Sequence, residues 1–537
     1  MSTIHQVYCT HCTHGSSALE RREGQWAHRM LGYSARAGSL DPSELRAVYR
    51  RIERYVSYYL PRDTLAEDRL RLTAATAPRR LLFLPSAAGL QIAAQVCYRA
   101  TDTEGRPGSY FAHVLVRGEK GDGNRWSALD GSRLWAAAGW VTEDSPQIPF
   151  RLPALRSLEE MLRGQRPAID DALLADFLSA PGSAPRDERS VVIPPRWRQM
   201  TPDRRAALFI DAFSRCLDLQ SGGRESLLLV AEPSIAALFA YGIARLLPAG
   251  AIRDGLSFST FEAQADRLST ILAATWLANP ESTDLRPETV RARGAIVNTR
   301  AERPDENRPA PSPYAEGIVE CLRDGGWDAV DHRLRSLEAV GARTPEDFHG
   351  LAAVDRVVPA LLDPRLPLPR DDWRRSRPAT EYLRKAVARR LAGAADPSRD
   401  LGPLVGSPAH LLILELIAVE PLLPGTPGAL KFLLGRLSEA QTSELLKRAG
   451  VAVEYKVEAL ARHVASKGAL PAGASWIWAD YGRNPAAAGD RLLVGLLTRL
   501  PPAALESLAR AAGRDHAAPL LSATLHAVSQ GLPVSSL

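Results

Sequence analysis

The sequence predicts a multidomain protein: an α+β N-terminal domain, a small α/β middle domain and an all-α C-terminal region. Three observations lead there. The chain has 537 residues, several times the ~150 of a typical domain. Proline-rich stretches near Ala180–Pro195 and Asn279–Pro313 interrupt it, and such runs cannot hold a helix. The hydrophobic pattern passes from strand-like alternation in the first third to helical spacing in the last, and these two periods distinguish strands from helices. With 45% apolar and 24% charged residues, the chain can bury cores and does not read as disordered.

Residues 1–150 form the expected α+β domain. Ile4 to Cys9 alternates as an opening strand. A helix then starts at Asp41-Pro42-Ser43-Glu44, where Asp41 can cap, Pro42 suits the first helical position and Glu44 completes a capping box. Leu45, Val48, Ile52, Tyr55, Val56 and Tyr59 continue it at helical spacing until Pro61. Arg80 to Leu84, Leu90 to Arg99 and Tyr110 to Arg117 read as three strands, bounded by turn residues.

Residues 151–195 read as a connecting helix and linker. Residues 196–290 give helix, strand, helix, strand, with strands at Ser226 to Ala231 and Leu256 to Phe261. A crossover of that length favours a parallel pair. Residues 291–314 read as a proline-rich linker. Residues 315–537 read as short helices stacked without a fixed repeat, among them Leu411 to Val419, Ala429 to Leu437, Lys456 to Val464 and Arg491 to Leu500.

Charge and cysteine usage limit the function classes. The 67 basic and 61 acidic residues are interleaved, whereas neutralising several phosphates needs clustered cations. Nucleic acid is therefore not an expected partner. The most basic run, Arg370 to Arg390, carries an apolar stripe through Tyr382, Val387 and Leu391 and reads as the solvated side of a docked helix. Five cysteines cannot frame a chain of this length, which points to a reducing cytoplasm. The N-terminus lacks the pattern of a secretory signal, and the longest apolar runs are broken by charges before reaching the length of a membrane span.

The densest group of reactive side chains is His5, Cys9, Cys12 and His14. These are zinc-ligand types, but a structural zinc site normally draws a second pair from further along the chain, and Cys97, Cys216 and Cys321 are solitary. No metal site is favoured. A dispersed triad of Cys9, His113 and Asp130 competes with the simpler reading of His113 as a hydrogen-bonded residue on a half-buried strand. A phosphate-binding loop needs a lysine after its glycine turn, yet no Gly-Lys dipeptide occurs and no Gly-x-Ser-x-Gly elbow exists. Neither a catalytic residue nor a cofactor is expected.

Gln6-Val7-Tyr8-Cys9, with Tyr110-Phe111-Ala112-His113 on a later strand, resembles the N-terminal domain of the second type in the bacterial GTPase-associated protein one family. Leu227 to Pro233 and Leu256 to Phe261 resemble that family's middle domain. The resemblance implies a non-enzymatic adaptor that couples a GTPase encoded nearby to other protein components of a bacterial conflict, defence or signalling system. It supplies no catalytic residues. The alternative, from the residues alone, is a divergent thiol hydrolase or zinc-binding protein using the Cys9 to His14 segment.

Overall fold

A computed structural model of the chain describes residues 3–12, 32–60, 77–101, 107–118, 125–143, 151–180, 193–222, 226–264, 268–276, 294–300, 310–363, 376–392, 397–419, 426–448, 451–467 and 489–500, with isolated residues elsewhere. Two compact units are distinguished, Met1–Phe348 and His349–Leu537.

The N-terminal strands are β1 (His5–Cys12), β2 (Gly32–Gly38), β3 (Arg80–Ala87), β4 (Leu90–Thr101) and β5 (Pro107–Gly118). Four occur where the sequence predicts strands. β2 does not, because Gly32-Tyr33-Ser34-Ala35-Arg36-Ala37-Gly38 is poor in β-branched residues and is stabilised by pairing with β1. Ala88 and Gly89 join β3 to β4 with φ of 51° and 74°, the positive-φ pair of a two-residue hairpin turn that matches strand twist.

The chain continues into the parallel strands β6 (Ser226–Val230), β7 (Phe258–Ser259), β8 (Leu272–Thr275) and β9 (Gly294–Asn298). Among the described residues all nine strands form one sheet in the order β2-β1-β5-β4-β3-β7-β8-β6-β9. The sequence divides this half at residues 150 and 196, but the sheet runs across both positions. Its antiparallel part ends at β3, which pairs with β7 through Leu82 to Ser259 and Phe83 to Phe258. Pairing from β7 through β8 and β6 to β9 is parallel. Ser226–Val230 and Phe258–Ser259 are therefore parallel but not adjacent, since β8 lies between them. β9 occupies part of the expected 291–314 linker. Its short Gly-Ala-Ile-Val-Asn run sits among prolines and gains its partners only from β6, about 70 residues earlier.

Helix α1 (Pro42–Ile52) packs Leu45, Tyr49 and Ile52 on the sheet face formed by Val7, Leu82, Ile92, Val96, Val114 and Val116. It ends earlier than its periodicity predicts. The carbonyls of Tyr55 and Ser57 accept hydrogen bonds from Arg80 Nη1 at 2.6 and 2.9 Å, so the tertiary partner replaces the next helical turn. The expected capping box does not form either: Asp41 makes no side-chain cap bond and lies 3.5 Å from Arg151 instead.

The other face carries α2 (Ala128–Arg133), α3 (Asp171–Ser179), α4 (Pro195–Gln199), α5 (Pro202–Gly222) and α6 (Pro233–Arg245). Trp197, Phe177, Phe209 and Phe239 interlock among the last four, with ring centroids 5.2–6.0 Å apart. Edge-to-face contacts of this kind stabilise beyond area burial. The later α7 (Ala251–Gly255) and α8 (Pro313–Ala339) complete the helices that lie wholly in the first unit.

In the second unit the described residues are helical, as the sequence predicts. They include α9 (Arg377–Ala392), α10 (Pro408–Ile417), α11 (Pro427–Leu434), α12 (Glu439–Lys447), α13 (Val453–Lys467) and α14 (Gly489–Arg499). α9 buries Leu383, Val387 and Leu391 and pairs Arg384 with Glu381 on its polar side. Buried His410 fastens α10 to α11: Gly406 N–H donates to Nδ1 at 3.3 Å, so Nε2 carries the proton given to Leu433 O at 3.1 Å.

Candidate functional site

The structure does not gather the sequence's metal-ligand candidates. Cys9 is fully buried in the core beneath α1, and His5 lies four residues earlier on β1, roughly 13 Å away at ~3.3 Å per residue. Zinc ligands stand about 2.0–2.3 Å from their ion, so this pair cannot share one. The His5 ring instead contacts Ser39 Oγ at 3.3 Å, and burial lowers its pKa against the opposing pull of Glu44. The Cys12 backbone pairs with Gly32 on β2, while His14 lies outside the described residues. Among the described residues no group of three or more His, Cys, Asp or Glu is placed to hold a metal ion.

The triad residues are separated too. Cys9 belongs to the core on one sheet face, whereas Tyr8 contacts His113 on the other. Asp130 closes a capping box with Ser127 at the start of α2. His113 is fully buried. Val141 N–H donates to its Nδ1 at 3.2 Å, so Nε2 must carry the proton that reaches Gln6 Oε1 at 3.0 Å. Gln6 Nε2 in turn donates to Pro153 O at 2.6 Å. The rings of Tyr8 and Trp140 meet the imidazole edge-on at 4.6 and 5.0 Å. Burial, aided by Arg163, lowers the His113 pKa to about 3. A neutral imidazole with both nitrogens committed cannot serve as a general base without breaking this network.

A different group of side chains gathers at the carboxyl ends of three parallel strands, where α/β sheets commonly bind ligands. Glu232 follows β6, Trp276 follows β8, and Thr299 and Arg300 follow β9. Arg196 on α4 donates from Nε and Nη2 to the Glu232 carboxylate at 2.8 and 3.1 Å, and from Nη2 to Thr299 Oγ1 at 2.6 Å. Trp197 Nε1 donates to Glu232 Oε2 at 2.8 Å. Thr299 Oγ1 donates back to Val230 O at 2.6 Å, which ties the β9 exit to β6. The Arg196 and Arg300 guanidinium carbons lie 4.7 and 3.7 Å from the Trp276 ring centroid. Thr275, buried at the end of β8, has a hydroxyl with no hydrogen-bond partner among the described residues.

The sequence reading does not single out this cluster. Arg196 and Trp197 follow Pro194-Pro195, which reads as linker, and Arg300 falls in the proline-rich stretch. A faint signal existed, since Glu232 immediately follows an apolar strand. Its partners are 35 to 68 positions away, and one-dimensional spacing cannot bring them together.

Residues 3–158 match the family model for GTPase-associated protein 1, N-terminal domain type 2, and this stretch contains both Gln6 and His113. No curated protein and no solved structure matches the chain significantly. No described helix is long and apolar enough to cross a membrane.

Proposed function

We propose that this chain, whose residues 3–158 form a domain of the GTPase-associated protein 1 N-terminal type, is a non-enzymatic adaptor. It couples a partner GTPase, encoded nearby, to other components of a bacterial conflict, defence or signalling system in the cytoplasm. The family match is the observation that carries this reading.

Two features support it. The motif residues Gln6, Tyr8 and His113 are committed to one closed buried network, a role in architecture rather than turnover. The sequence also lacks a Gly-Lys phosphate loop, so coupling to nucleotide hydrolysis calls for a partner that has one.

The test is co-purification of the full chain with the GTPase encoded beside it, in the GDP state and with a non-hydrolysable GTP analogue. A stoichiometric complex in at least one state is expected. Absence of any complex in both states, with both proteins folded, refutes the adaptor reading.

A further inference from the structure

Of the two guanidinium groups beside Trp276, only Arg196 is neutralised by a partner among the described residues. Both oxygens of Glu232 are taken by Arg196, and Oε2 also accepts from Trp197. Arg300 is half-buried and stacked on the indole, and its guanidinium has no hydrogen bond or ion pair among the described residues. Stacking covers the face of a guanidinium but leaves its in-plane N–H groups available, the geometry that receives two oxygens of one anion side by side.

The surroundings favour a ligand over an incidental surface charge. Arg196 is fixed by Glu232 and Thr299, so the wall of the site is preorganised, and flexible side chains need not be ordered on binding. Burial and the neighbouring Arg196 charge lower the Arg300 pKa, opposed only in part by Glu232. Two guanidinium groups thus share one carboxylate among the described residues of this cluster. The Thr275 hydroxyl, 3% exposed, adds a polar group without a partner at the same strand end.

We propose that the carboxyl ends of β6, β8 and β9 bind the oxyanion group of a small ligand, with Arg300 as its principal contact and Arg196 and Trp276 as its fixed frame. The anion would be a phosphate or carboxylate, held in the plane of the guanidinium. This goes beyond the adaptor reading and does not depend on it.

Calorimetric titration of the full chain with pyrophosphate, inorganic phosphate and succinate, at constant ionic strength, tests it and separates the two anion classes. Saturable binding of at least one anion is expected, weakened about tenfold in Arg300→Ala, the loss of one charge-assisted pair. Arg300→Lys keeps the charge but loses the fork and should fall between them. Arg156→Ala, at an exposed arginine elsewhere, should bind as the unaltered chain does. Thermal melting of each variant establishes that it is folded. No saturable binding of any of the three anions, or equal binding by Arg300→Ala, overturns the proposal. So would a GTPase complex lost in Arg300→Ala while the unaltered chain binds no anion, which would assign Arg300 to a protein interface.

Discussion

His113 and Gln6, 107 positions apart in the chain, share a 3.0 Å hydrogen bond between adjacent strands, with direction set by Val141 N–H donating to the far side of the imidazole. Gln6 passes the chain of donors on to Pro153 O. Gln6→Leu would leave the His113 N–H buried without a partner and remove the donor to the exposed Pro153 carbonyl. An orphaned buried group costs about 1–3 kcal/mol, so a loss of that size is expected in urea unfolding. A loss below about 0.5 kcal/mol, the scale of surface substitutions, would refute the buried network.

The same histidine makes stability pH-dependent. Its folded pKa of about 3 lies below the ordinary 6.5 of a histidine, so between these values the unfolded chain binds a proton that the folded chain refuses. Stability from this group is fully present above pH 6.5 and falls as pH drops toward 3, by about 1.4 kcal/mol per pH unit. His113→Gln should flatten this part of the stability profile even if it lowers the whole curve. Equal slopes between pH 6 and pH 4, about the middle of this window, would contradict a neutral buried imidazole.

Arg80 and Glu262 form a buried ion pair at 2.5 Å, with side chains 5% and 6% exposed, where β3 meets β7. Removing one partner of such a pair costs about 3–5 kcal/mol, while replacing both by apolar groups is often close to neutral. Glu262→Ala should therefore be much less stable than the double variant Arg80→Met with Glu262→Leu. A double-mutant cycle in chemical denaturation reads this directly, and additive effects would show that the pair is uncoupled.

Gly139 donates to Met161 O at 2.7 Å, and a Cβ placed on it would stand 2.6 Å from that oxygen and 2.8 Å from Met161 Cα. Backbone atoms cannot rotate away. Gly139→Ala should cost about 1–3 kcal/mol, the usual penalty of overpacking, seen as a lower Tm. An unchanged Tm would mean that Met161 moves at no cost.

Thiol chemistry offers a further check. Burial raises the Cys97 pKa and pushes Cys216 up to about 12, and Cys9 is fully enclosed. The thiolate is the reactive form, so Cys9, Cys97 and Cys216 should resist iodoacetamide at neutral pH until the chain unfolds. Rapid native alkylation of Cys9, located by peptide mass mapping, would revive the thiol-enzyme alternative.

Strands β3 to β5 were legible as short apolar runs bounded by turn residues, with Leu81, Leu82, Phe83 and Leu84 buried on both faces of the sheet. The C-terminal helices were legible from apolar spacing such as Leu383, Val387 and Leu391. β8 and β9 were not. Leu-Ala-Ala-Thr and Gly-Ala-Ile-Val-Asn carry little intrinsic preference, and both strands draw their stability from the partners they pair with, β7 and β6 for β8 and β6 for β9. The Gln6 and His113 motifs were visible as residues, but their closed hydrogen-bond chain required the register of β1 against β5. The Arg196, Trp276 and Arg300 group depended wholly on the parallel strand order, which no local pattern encodes.

The seam between β3 and β7 has a consequence for synthesis. Ser259 reaches Leu82 across 177 positions of chain, so on the ribosome the first five strands must wait for the next portion of the sheet to emerge. Until then β3 presents an unpaired border with buried Leu81, Leu82 and Phe83 along it, a template for illicit association with other chains. Expression of residues 3–158 alone would make that border permanent. Such a fragment should accumulate in inclusion bodies or recruit chaperones, whereas extending it through β9 supplies the missing neighbours.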